Sequence, residues 1–155
     1  MCKNNINELI GLIHMCYGWM PTMYKKSDTS LYKDNELIKK IWDKIKEGSL
    51  DSVFLNNLKR ITNNSIIGTS KLLHFCNPKM YAIYDSKIYC CISGNTTTGN
   101  YNNVDYYISY MKKMKEWEED KIFIKKLREI LSNNNPRIVE FSDLRCIEMC
   151  FYYNN

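Results

Sequence analysis

Apolar residues recur along this chain at intervals of three and four, the spacing that gathers side chains on one face of an α-helix. Ile6, Leu9, Ile10, Ile13 and Tyr17 form the first stripe and predict an amphipathic helix over residues 5–17, with His14 beside the stripe as a packing or surface histidine. Gly18-Trp19-Met20-Pro21-Thr22 breaks that helix, and Trp19 and Met20 are expected to plug the core at the bend. Residues 22–33 are polar and irregular. Asp34 then opens a second helix with Leu37, Ile38, Ile41, Trp42 and Ile45 as its apolar face, and Gly48 ends it at a left-handed position. Ser49 is placed to cap a third helix carrying Leu50, Val53, Phe54, Leu58 and Ile61.

The third helix runs into a polar turn, Asn63-Asn64-Ser65, and a fourth helix follows with Ile66, Thr69 and Leu73 on one side and Lys71 on another. Asn77-Pro78 stops it, because proline donates no backbone hydrogen bond and restricts the residue before it. Tyr81-Ala82-Ile83-Tyr84, the one strand-like run, ends in Asp85-Ser86, which can cap a new helix. Residues 93–103 are rich in Gly, Asn and Thr, and their length suits a mobile or functional loop. Their two glycines form no phosphate-loop pattern.

Val104 to Glu119 reads as a helix with Tyr106, Tyr110, Met114 and Trp117 along one face, a stripe that is either core or a base-stacking platform. Ile122, Phe123, Leu127, Ile130 and Leu131 continue the helical pattern to the Asn-rich stretch before Pro136. A last short helix begins near Ser142 and presents Leu144, Ile147 and Phe151, with Arg145 and Glu148 spaced to pair on its surface. No segment alternates convincingly with period two. The fold class is therefore all-α, a single domain over residues 1–155 of about seven helices.

Length and composition fit that reading. A chain of 155 residues, 45% hydrophobic, can bury a real core. No run is long enough to span a bilayer. Met1-Cys-Lys-Asn-Asn leads into an amphipathic pattern and not a signal-peptide core, so an intracellular address, cytoplasmic or nucleoid/nuclear, is expected. Seven cysteines, with Cys90 and Cys91 adjacent and Cys146 and Cys150 one turn apart, form no disulfide framework and predict reduced, mostly buried thiols. Without a CxxC pair, and with His14 and His74 isolated, neither a metal nor another cofactor is expected.

Charge changes the picture in one place. The formal net charge is +5: residues 1–58 contribute +1, residues 59–87 contribute +4 and the remainder is neutral. The excess sits on Lys59, Arg60, Lys71, Lys79 and Lys87, with Asp85 as the lone acid among them. Such a patch around a polar turn suits phosphate, or is simply a solvated, lysine-rich face. Asp85 likewise carries two readings, a helix cap or a catalytic carboxylate.

The central pattern, a helix, a polar turn and a helix, then Thr69-Ser70-Lys71-Leu72-Leu73-His74-Phe75, Pro78 and Ile83-Tyr84-Asp85, resembles the helix-hairpin-helix DNA glycosylase superfamily, in particular its 8-oxoguanine-glycosylase-like branch. The resemblance covers about 28 of 155 residues. It implies a hairpin motif over residues 49–76, with Lys59, Arg60, Asn63, Asn64, Ser65 and Lys71 meeting DNA. It also implies an active-site segment over 77–92 that delivers Asp85 as the catalytic carboxylate, with Trp19, His74, Tyr81 and Tyr84 walling a base pocket. An anion there stabilises the positive charge that builds on the sugar as the glycosidic bond breaks. Asn63 and Ser65 stand where the family has glycines, and Ile67 stands where its bifunctional members carry a Schiff-base lysine. No cysteine cluster for iron and sulfur is present. The implied protein binds DNA and, if it is an enzyme, releases a base as a monofunctional glycosylase. From a different class, the same chain reads as a non-catalytic helical protein with a protein partner.

Overall fold

The computed structural model describes residues 5–25, 34–94 and 100–153. Residues 26–33, most of the expected irregular segment over 22–33, and the centre of the Gly/Asn/Thr-rich loop, residues 95–99, lie outside it. The fold is all-α: α1 (Ile6–Gly18), α2 (Asn35–Glu47), α3 (Ser52–Ile61), α4 (Ile66–Cys76), α5 (Ser86–Ser93), α6 (Val104–Glu119), α7 (Lys121–Asn134), a 3-10 helix (Pro136–Glu140) and α8 (Asp143–Tyr153). Among the described residues there is no strand, and no helix is long and apolar enough to cross a membrane.

Short polar side chains set the helix boundaries. Asn5, Asp34, Ser65, Asp85 and Asn103 each accept a hydrogen bond from a first-turn N–H of the helix they precede. The cap of α3 is Asp51, which accepts from Phe54 N–H at 2.7 Å, and not Ser49, whose hydroxyl accepts the Asp51 N–H instead. A carboxylate outcompetes a hydroxyl for the positive end of a helix. Asp120 ends α6 and caps α7, accepting from the N–H groups of Ile122 and Phe123. That break makes eight α-helices among the described residues, where about seven helices were expected. Gly48 closes α2 at φ 72°, and a Cβ there would also lie 2.2 Å from the end of the Met80 side chain.

One core joins these helices, and α4 turns one side into it. α4 packs against α1 and α3, while α8 packs against α5, α6 and α7. Leu58, Ile61, Ile66 and Leu73 are fully buried at the α3–α4 junction. A Cβ on Gly68 would sit 2.5 Å from the Tyr17 hydroxyl, so a glycine permits the close approach of α1. Between α3 and α4 the hydroxyls of Thr62 and Thr69 lie 2.7 Å apart, both buried.

Tyr81-Ala82-Ile83-Tyr84 runs between α4 and α5 without regular secondary structure and without joining a sheet. Side chains do what a neighbouring strand would do. Ile83 N–H donates to Glu148 Oε2 (3.1 Å), and Tyr84 N–H donates to Ser70 Oγ (3.1 Å). The Ala82 N–H faces the Met111 sulfur at 3.4 Å. The carbonyls of Tyr81, Ala82, Ile83 and Tyr84 meet His74 Nδ1 (2.8 Å), Tyr107 OH (3.4 Å), Tyr110 OH (2.9 Å) and Ser70 Oγ (3.0 Å).

Several expected faces are corrected. Trp19 is 80% exposed and plugs nothing. The buried stripe of α1 runs through Leu9, Ile13, Cys16 and Tyr17 to Met20, and Trp19 falls off it. Val53 is exposed in the first turn of α3. In α6 the buried stripe is Val104, Tyr107, Tyr110, Met111 and Met114, and Tyr106 lies outside it because a strict four-residue spacing drifts around a 3.6-residue helix. In α7, Ile124 and Leu127 are buried whereas Ile122 and Ile130 face outward. Glu148 is fully buried, so its pair with Arg145 is not a surface pair.

Ser70 holds both polar groups of Tyr84 and is itself buried. Ser70→Ala is expected to lower unfolding free energy by about 2 kcal/mol, because it orphans a buried donor and acceptor at once. A denaturant melt of the two proteins measures it. A loss under about 0.5 kcal/mol, the range of an ordinary surface substitution, would mean that the segment is not held this way.

Candidate functional site

Two regions carry the chemistry-bearing side chains, the α3–α4 turn and a cleft on the side of α4.

In the turn, Asn63 and Asn64 both have φ 53°. Asparagine tolerates this left-handed region better than most residues, which lets the chain reverse without glycine. Neighbouring segments hold the turn. Asn63 accepts from Lys25 N–H (2.8 Å) and donates to Met23 O (2.9 Å). On the other side Asn102 Oδ1 accepts from Ile66 N–H (2.8 Å), and its Nδ2 donates to Asn64 O (2.9 Å). Lys59 reaches the Asn102 carbonyl at 2.7 Å. Ser65 is engaged as the cap of α4, and Arg60 is exposed on the last turn of α3.

The cleft has a volume of about 470 Å³ and is lined by Trp19, Lys71, His74, Phe75, Arg145 and Glu148, with Ile83 and Met149 completing its walls. Lys71 and His74 share the side of α4 that the core leaves open. Arg145 and Glu148 come from α8, one turn apart. Trp19 stands at the end of α1, its ring edge-on to Phe75 at 5.9 Å. Thus Lys71 faces this cleft, while Lys59 turns toward Asn102.

Burial raises the carboxyl of Glu148 above its ordinary value, against the opposing pull of Arg145 and the Ile83 N–H, and the Asp85 charge adds slightly to the rise. Burial lowers His74, the Arg145 charge lowers it further, and its contact with the Tyr81 carbonyl opposes both. A carbonyl only accepts, so Nδ1 carries the proton of the neutral ring and Nε2 is left with its lone pair.

Asp85 caps α5, accepting from Ile88 N–H at 2.9 Å, and does not line the cleft. Of the expected pocket walls, Trp19 and His74 do line it, but Tyr81 and Tyr84 are buried in the core. The Tyr81 hydroxyl reaches the carbonyls of Lys44 and Ser49, and the Tyr84 ring packs against Tyr107 and Tyr110. In this segment the residue that meets the cleft is Ile83. Arg145 and Glu148 were missed as cleft residues because an i,i+3 charge pair usually marks a solvated face. Glu148 lies four residues from Leu144 on the buried stripe of α8, and that spacing was the available signal.

Comparison of the chain with protein-family models, curated proteins and solved structures finds no match.

The lowered pKa of His74 has a pH signature. Between its native value and the ordinary 6.5, the unfolded chain binds more protons than the folded one. The stability contribution of His74 should therefore rise with pH across that window and fall on acidification through it. His74→Gln should flatten this part of a pH–stability profile, and an unchanged slope would place the His74 ring in water.

Proposed function

We propose that this chain is a DNA-binding protein that meets phosphates with the α3–α4 turn and its basic rim. The observation that carries the reading is the pair of left-handed asparagines, Asn63 and Asn64, in a turn between two packed helices. It gives the backbone reversal for which the helix-hairpin-helix family uses glycine. Arg60 is exposed beside the turn, and the charge of residues 59–87 supports a phosphate partner. Because Asn102 already holds the Ile66 N–H, phosphate contact falls chiefly to side chains. Duplex binding should be strongly salt-dependent. Arg60→Ala should weaken it for all sequences alike and reduce the slope of log affinity against log salt by about one. No duplex binding even at low salt would favour the protein-partner reading, for which the exposed Ile122, Ile130 and Val139 are the supporting observation.

Base release is the catalytic extension of this reading, and Asp85 is its carboxylate. It is supported by the position of Asp85, two residues beyond Ile83 in the cleft wall, and by the cleft walls Trp19 and His74. Asp85→Asn separates charge from capping, because asparagine caps about as well as aspartate. If Asp85 is catalytic, Asp85→Asn should lose release of a damaged base by orders of magnitude at nearly constant melting temperature. If it is only a cap, Asp85→Ala should cost about 1 kcal/mol, Asn should restore it, and no variant should release a base.

A further inference from the structure

We infer that the cleft beside α4 is one end of a groove for single-stranded nucleic acid, separate from the duplex contact at the turn. A second cleft, of about 350 Å³, adjoins the first, and His74 and Arg145 line both. The joined groove passes from Trp19 and Lys71, along the open side of α4, to Lys79 and Phe141. Each cleft lies in the size range of sites that enclose a small organic group, about 300–1000 Å³.

The groove offers a single strand what it needs. Such strands are held by cations along the backbone and by aromatic faces on which unpaired bases stack. Lys71 and Lys79 supply one cation in each cleft, and Lys79 is exposed. Among the described residues, Lys71 has no ion-pair partner. Of the two carboxylates in the groove, Glu148 is neutralised by Arg145, leaving Glu140 as the acid that faces solvent. Trp19, at 80% exposure, supplies the stacking face. A base inside a duplex is already stacked on its neighbours, so Trp19 selects for unpaired ones.

Tryptophan fluorescence tests this on the intact chain. Trp42 is buried and Trp117 half-buried, so quenching by an added strand reports chiefly on Trp19. A short oligothymidylate at low salt should quench it saturably. Trp19→Ala should remove the quench and weaken binding, followed by anisotropy of a labelled strand, by about 5- to 150-fold, the equivalent of one lost base stack. Lys79→Ala should lower the salt slope by about 0.7. Both residues are exposed, so melting temperatures should hold. Duplex affinity unchanged in Lys79→Ala, with single-strand affinity reduced, supports a separate groove. Duplex binding without any single-strand quench overturns the groove and leaves the duplex contact at the turn standing. Polyglutamate binding as well as oligothymidylate, with Trp19→Ala inert, would make the groove an acidic-peptide site and overturn the inference.

Discussion

The structure depends on how a four-residue segment without regular secondary structure is kept inside a helical protein. Tyr81, Ala82 and Tyr84 are buried, and no strand lies beside them among the described residues. An unpaired buried backbone group costs roughly 1–3 kcal/mol, so an unsupported run of this kind would consume much of the stability of an ordinary domain. Each neighbouring helix supplies part of the answer. α4 gives Ser70 and His74, α6 gives Tyr107, Tyr110 and Met111, and α8 gives Glu148. The segment is thus a junction at which three helices are held in register by side chain–to–backbone bonds.

That solution shapes the cleft. Glu148 is drawn into the interior to accept the Ile83 N–H, and a buried carboxylate needs a compensating charge. Arg145, one turn earlier on α8, provides it and is thereby fixed in the cleft wall. His74 is likewise committed through Nδ1 to the Tyr81 carbonyl, which leaves Nε2 on its other edge. Two of the polar groups in the cleft are therefore the outward ends of bonds that hold the core together. Substituting either one changes fold and site together, whereas Trp19 and Lys79 at the rim are exposed and can be altered with little effect on the core.

Much of this was legible in the sequence, and the remainder was hidden for identifiable reasons. Helix boundaries were readable where short polar residues directly precede an apolar stripe of helical spacing, as at Asp34, Ser65 and Asp85. Where Ser49 and Asp51 competed, the carboxylate prevailed. The core was readable at Leu58, Ile61, Ile66 and Leu73, where apolar spacing and packing agree. Trp19, Ile122 and Ile130 were misplaced because hydrophobicity ranks residues by their preference for the interior, while the phase of the helix decides which of them reach the core. The candidate site was least legible. Its residues come from the C-terminal end of α1, from α4, from the run between α4 and α5 and from α8, and no local spacing connects Trp19 with Arg145. Tyr81 and Tyr84 suit a base pocket by residue type, but this run is buried on several sides, takes its largest rings inward and leaves the smaller Ile83 to the cleft.

Asparagine in the α3–α4 turn has consequences that glycine would not. Glycine reaches φ > 0 at no steric cost and leaves a bare backbone that another molecule can approach. Asparagine reaches the same conformation but brings a carboxamide that needs partners of its own. Here the Asn63 side chain finds Met23 and Lys25, and the backbone of Asn64 is bridged by Asn102. The turn is therefore laced to segments on both sides, and its approach surface is shaped by them as well as by α3 and α4. Arg60 is exposed on the last turn of α3, and Asn102 already occupies the Ile66 N–H. Recognition at such a turn would depend on the number of cations engaged more than on close backbone geometry, which is the regime in which binding tracks ionic strength and not base sequence.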